Sequence, residues 1–212
     1  MMFPKNKTWL PNRNTTLVDF GGGVKNPLNG EYYVRGGVCW PVAVRVSDGQ
    51  SSVGHLVLVG HHLESGRRVV LDECQFVCVD PIIENGGVAF EGCANWFNSA
   101  WTNYFMRYLY WHQEETTHRM YLMQVLRSKL IEPKPGFIEI PWQDDQVAVS
   151  IMWKLGNTGQ LKIQPDSVLL EQLRRFQAAL GRPDLGEYPA VHALLCALYG
   201  MERWPWRESR AE

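Results

Sequence analysis

HLVLVGHHLESGRRVVLDE, residues 55–73, is the stretch on which the fold turns. An apolar run over residues 55–63 meets the turn signal Ser65-Gly66 within residues 64–67, and the β-branched run 68–73 follows at once. Two strand-length runs joined by a short Gly-containing turn read as a β-hairpin. Further strand signals flank it at residues 17–20, 31–35, 38–46, 75–79 and 88–91. Turn clusters at Gly21–Gly23, residues 26–30, Asp48-Gly49 and Asn85-Gly86-Gly87 separate them. Pro41 has no amide proton to donate to a ladder, so strand 38–46 is expected at an edge or a bulge. Connections this short predict a mostly antiparallel meander.

The period changes after Cys93. Phe97, Trp101, Phe105 and Leu109 repeat every four residues beside Trp96, Ala100, Tyr104 and Tyr108, which predicts a helix laid over the sheet. A polar cluster at 113–119 ends or bends it before the apolar segment 120–130, and Pro133, Pro135 and Gly136 stop the run. Residues 137–140 and 161–163 read as short strands. Acidic Asp144 and Asp145 precede a helix at 147–155 that Gly156 and Gly159 end. Asp166 or Ser167 caps the next helix, which carries Leu169, Leu170, Leu173 and Phe176, and Pro189 suits the first turn of a last helix over 188–201. The expected architecture is therefore α+β. A mostly antiparallel N-terminal sheet of five to seven strands is covered by C-terminal helices. Residues 1–16 form an extended arm, 17–202 a single domain and 203–212 a tail.

Composition bounds the function. The 212 residues are 45% hydrophobic and 20% charged, with 21 basic against 22 acidic side chains and a net charge of −1. Such a chain buries one ordinary core and has no global field to draw it to nucleic acid or anionic lipid. Its longest apolar runs, 56–60 and 193–198, fall far short of the roughly 20 residues that span a bilayer. Residues 1–16 lack the continuous apolar run of a secretory signal. Five cysteines at irregular spacing fit reduced thiols, so a cytoplasmic protein, or one assembled into a particle made there, is expected.

Nine tryptophans are an unusual load. Trp is favoured at interfaces, and Trp9 in the arm and Arg203, Trp204, Trp206 and Arg207 in the tail suit docking on neighbouring subunits. These features favour a non-enzymatic structural or assembly subunit of a virion or other large complex. Its partners would be other protein subunits in a homo-oligomer or larger assembly. Its basic and aromatic tail also suits nucleic acid, a second choice given the charge balance. No cofactor and no membrane contact are expected on this reading.

Two clusters carry possible chemistry. His61 and His62, with Cys74 and Cys78 on the next strand, hold zinc-type ligands and would make a small zinc-binding adaptor. Their spacing is not a zinc signature, because adjacent strand residues face opposite ways. Asp19, Asp80, Asp144 and Asp145 are the carboxylates available to a centre holding Mg²⁺ or Mn²⁺, which needs three or four acids converging on one point. Turn and helix capping explain the same acids structurally. Neither a nucleophile elbow nor a phosphate-binding glycine loop occurs. Cys93, behind Gly92 at an expected helix start, is the best candidate for a reactive thiol.

Residues 161–198, a short strand, a helix, an acidic loop and a helix of small residues, resemble the end of the RNase H-like nuclease domain of viral DNA-packaging terminases. The hairpin over 56–71 resembles that fold's early strands. The resemblance implies a divalent-metal nuclease, active or decayed, as the alternative function. In that family an acidic residue precedes the Ala-Leu of the final helix. Here Val191 and His192 precede Ala193, which removes one expected metal ligand.

Overall fold

The computed structural model describes residues 18–19, 23–26, 30–39, 52–62, 64–78, 108–112, 136–140, 145–178 and 187–203, with positions 96, 98, 100, 104 and 106. The hairpin is its centre. Strands β4 (Ser52–His62) and β5 (Arg68–Cys78) pair antiparallel, and β4 pairs antiparallel with β3 (Gly30–Cys39). Short strands β1 (Val18–Asp19) and β2 (Gly23–Asn26) continue the meander along the first half of β3. On that same side, the second half of β3 takes β6 (Tyr108–His112) in parallel, and β7 (Gly136–Ile140) lies parallel to β6. The long strands therefore run in the order β5-β4-β3-β6-β7, a mixed sheet, with β8 (Leu161–Lys162) parallel to the start of β5. Together with the helices this is the expected α+β class.

Both faces of the sheet are covered, which is why the hairpin strands are apolar almost without alternation. Val57, Val59, Val70, Tyr110 and Ile140 face helices α1 (Asp145–Asn157), α2 (Val168–Ala178) and α3 (Pro189–Arg203). Val34, Val38, Leu56, Leu58, Leu71 and Leu109 face the other way, toward Ala100 and Met106. Helix α3 is buried continuously from Ala190 to Met201, as a helix apolar on every side must be. Pro189 opens it without an amide proton to satisfy, and the Gln172 carboxamide oxygen accepts from the Ala190 N–H at 2.8 Å. Ser167 caps α2 by accepting from the Leu170 N–H at 3.0 Å. Gly159, at φ 66°, supplies the left-handed residue just past α1.

Three sequence expectations change. The break expected between residues 35 and 38 does not occur, since β3 runs unbroken through Gly36 and Gly37 and has neighbours on both sides. It is a central strand rather than an edge over its described residues Gly30–Cys39, and Pro41 lies outside the described residues. Residues 108–112, read as the end of a helix, form β6 instead. Leu109 and Tyr110 are each fully buried on opposite faces, and a doubly buried strand carries no period to separate it from a helix. The two runs 68–73 and 75–79 merge into β5, whose register slips between Leu58 and Val59 on the facing strand. Segment 120–130, the arm over 1–16 and residues 204–212 lie outside the described residues.

Candidate functional site

Strand β3 and helix α3 cross at very short range. A Cβ on Gly37 would fall far inside van der Waals contact distance of the Ala193 carbonyl oxygen and 2.7 Å from the Ala197 nitrogen. Gly200 likewise admits the Tyr110 ring from β6. These two glycines let the helix backbone settle onto the sheet. Two residues beyond Gly37, on the same face, is Cys39, and directly before Ala193 on the helix is His192. The crossing brings Cys39 Sγ to 3.5 Å from His192 Nδ1, with the residues 6% and 3% exposed.

This pair stands at a particular point of the sheet. From β3 the chain lays β4 and β5 out to one side and β6 and β7 to the other, so the strand order reverses direction here. Ligands of open α/β sheets collect at the carboxyl ends of strands beside such a reversal. The parallel register Val38↔Trp111, carried one step on, brings the His112 backbone level with Cys39.

A second buried polar pair adjoins it. His55 is paired directly across β4 from Cys39 and is 1% exposed, and its Nε2 lies 3.3 Å from a Glu73 carboxylate oxygen. That carboxylate also accepts the Val168 and Leu169 amides at 3.0 and 3.2 Å, capping α2 from the sheet. An acid at a helix N-terminus satisfies open amides and the positive end of the dipole together. The β-bulge makes this possible. One extra residue at Leu71 rephases β5, so that Val70 and Glu73 reach the helix-covered face although they are three positions apart. Further along the seam of β3 and β6, the Arg35 guanidinium sits 4.7 Å from the centroid of the half-exposed Tyr108 ring.

The zinc reading finds no geometry. His61 pairs with Arg68 and Cys74 with Leu56, five residues further back along β4, a separation of roughly 17 Å. His62 serves the hairpin turn, its Nδ1 accepting from the Ser65 N–H at 3.1 Å and the Ser65 hydroxyl at 2.8 Å. Burial, aided by the Arg68 charge, pushes His61 down to about 4. Burial and the neighbouring Asp72 push the Cys74 thiol up. The side chain of Cys78 lies outside the described residues, and among those described no three His, Cys, Asp or Glu side chains converge as metal ligands.

The carboxylates separate as well. Asp19 on β1 is level, through Val24, with Tyr32 near the start of β3. Cys39 is seven residues further on, roughly 23 Å away. Asp145 opens α1 beyond the carboxyl end of β7, the other end of the sheet from Asp19. Asp80 and Asp144 fall outside the described residues, as do Trp9, Trp204, Trp206, Arg207 and Cys93. Arg203 is the exposed last residue of α3 rather than part of a tail. Among described residues no helix is long and apolar enough to cross a membrane.

Sequence reasoning missed Cys39, His55 and Glu73 as members of one buried polar group. The only signal was His192, standing where the resemblance expected an acid.

No protein-family model and no curated protein matches the sequence. Solved structures do match the fold. The large terminase nuclease from thermophilic phage G20c, crystallised with bound zinc, is 12% identical with a TM-score of 0.50, over 87% of this chain and 91% of that one. The manganese-soaked human cytomegalovirus terminase nuclease domain is 13% identical with a TM-score of 0.51, over 79% of this chain and 82% of that one. The zinc and manganese in those two proteins accord with the divalent cation, Mg²⁺ or Mn²⁺, expected of the nuclease alternative.

These matches overturn the expectation of a non-enzymatic structural or assembly subunit, because the chain has the fold of nuclease domains. The tryptophan load had suggested docking surfaces, yet part of it packs inside. Trp96 donates to the Asp72 carboxylate at 3.1 Å, Trp153 stacks near Phe176, and Trp111 lies against the second core.

Proposed function

We propose that this chain is an RNase H-like nuclease domain of the terminase type, which engages DNA at the carboxyl ends of β3 and β6. One observation carries the reading. The mixed order β5-β4-β3-β6-β7, with α3 laid on β3, superposes over most of the chain on two terminase nuclease structures. The place where that fold collects ligands coincides with the buried Cys39 and His192 pair. Nucleic acid, within a larger complex, is then the principal partner. A net charge of −1 leaves DNA binding to local basic groups, so affinity should be modest and should fall steeply with salt.

The test is binding and cleavage of supercoiled plasmid and short duplex DNA by the full chain, with Mg²⁺, Mn²⁺ or Zn²⁺ added in turn. Salt-sensitive binding, with nicking that a chelator stops and His192→Ala reduces, supports the active form. Binding without nicking under every cation identifies the decayed form of the same domain. Absence of both binding and nicking overturns the proposal.

A further inference from the structure

Tyr108, the first residue of β6, keeps 40% of its surface in water, the one exposed aromatic ring among the described side chains. A lone exposed ring is ordinary, but this one is held from beneath. The Arg35 guanidinium lies 4.7 Å from the ring centroid, on a residue only 5% exposed, and donates to the Val34 carbonyl at 3.2 Å. Packing of β3 thus fixes a permanent positive charge on one face of the ring and leaves the other side open.

Helix α3 brings a second cation to the same level. It runs from His192, beside Cys39, to Glu202, which pairs with Arg68. Arg68 stands opposite His61 and His61 opposite Tyr33, so α3 ends near Tyr33, two residues before Arg35 on β3. Gly200 packs on Tyr110. Arg203 follows Gly200 by one turn and Tyr108 precedes Tyr110 by two residues, so both lie on the same side of that contact. Arg203 is exposed, and the Glu202 carboxylate next to it is taken by Arg68.

We infer that Tyr108, Arg35 and Arg203 form a surface for single-stranded nucleic acid, with an unpaired base stacked on the open side of Tyr108 and a phosphate at Arg203. Every base has a π-face for such a ring, and arginine adds cation–π and phosphate contacts. A ring already held by a guanidinium loses little freedom when a base settles on it. A paired base has its faces covered by its neighbours in the stack, which selects the unpaired strand. The surface is distinct from the Cys39 and His192 pair, since α3 crosses the seam between them and Tyr108 stands four residues, about 13 Å, before His112.

The inference rests on the nucleic-acid reading above and names the state of the strand, and its test is scored apart from cleavage. The full chain is titrated, without added metal, into an oligothymidylate of about 12 nucleotides that carries 2-aminopurine, whose fluorescence falls when it stacks. The expected result is quenching on binding. Tyr108→Ala abolishes the quenching and weakens binding at least about fivefold, while Tyr108→Phe keeps both. Arg203→Ala weakens binding and lowers its salt slope by about 0.7. Circular dichroism checks each fold, and should Tyr108→Ala fail to fold, Arg203→Ala at the exposed helix end decides the matter. No binding by the native chain, unchanged binding in folded Tyr108→Ala, or an unchanged salt slope in Arg203→Ala overturns the inference. Duplex nicking that persists beside any of these results upholds the nuclease reading alone. Tyr108-dependent oligonucleotide binding by a chain that neither binds nor nicks duplex DNA upholds the stacking surface alone.

Discussion

Gly37 on β3 lies directly beneath Ala193 on α3, so close that a methyl group in place of its hydrogen would collide with the helix backbone. Backbone cannot turn aside as a side chain can. Gly37→Ala is therefore expected to lift α3 and to cost at least about 2 kcal/mol, read as a lower midpoint of urea denaturation. A stability change under about 0.5 kcal/mol would show that the helix does not sit where described.

Gly200 and Tyr110 make the same kind of contact with a different remedy. A Cβ on Gly200 would lie 2.5–2.6 Å from atoms of the Tyr110 ring, which is a side chain and replaceable. Gly200→Ala alone should destabilise by about 1–3 kcal/mol. In a Tyr110→Leu background it should cost appreciably less, a coupling of at least about 0.5 kcal/mol in a double-mutant cycle. Strict additivity would count against this packing.

Glu73 holds α2 to the sheet by accepting the Val168 and Leu169 amides and the His55 ring contact. Glu73→Ala strands two amides and a buried imidazole and should cost about 2–3 kcal/mol. Glu73→Gln keeps an acceptor oxygen and should cost about half as much. Hydrogen exchange at Val168 and Leu169 should quicken in the alanine variant before exchange in α3 does, and simultaneous loss of both would refute a local cap.

His61 makes stability depend on pH. Its folded value is pushed down to about 4 from 6.5, first by burial and then by the charge on Arg68. Between those values the unfolded chain holds a proton that the folded chain refuses, so stability falls as the pH drops from about 6.5 to 4 and this contribution levels off below. His61→Asn should flatten that part of the profile in urea melts taken at stepped pH. An unchanged slope in the variant would assign the effect to other groups.

Much of the fold was legible from local chemistry. Ser65-Gly66 between two apolar runs specified the β4–β5 hairpin, Ser167 the start of α2, and Pro189 the start of α3, because turns and caps depend on residues a few positions apart. Strand β6 was not legible, because burial on both faces erased the alternation that marks a strand. The role of Glu73 was hidden for a related reason. A bulge at Leu71 shifted the phase of β5, and nothing in the local sequence announces one extra residue in a ladder.

The sequence by itself determined a single α+β chain with its hairpin, caps and helix starts, since those follow from neighbours along the backbone. Only the tertiary structure decided which residues form the candidate site. Cys39 and His192 are 153 positions apart and meet because two glycines let a buried helix rest on the central strand. Asp19, one of the acids singled out in the sequence, is held level with Tyr32, seven residues before Cys39 on β3, by the register of the strands beside it. Residue type limits what a side chain can bind, while the crossing of α3 over β3 sets which side chains are together to bind it.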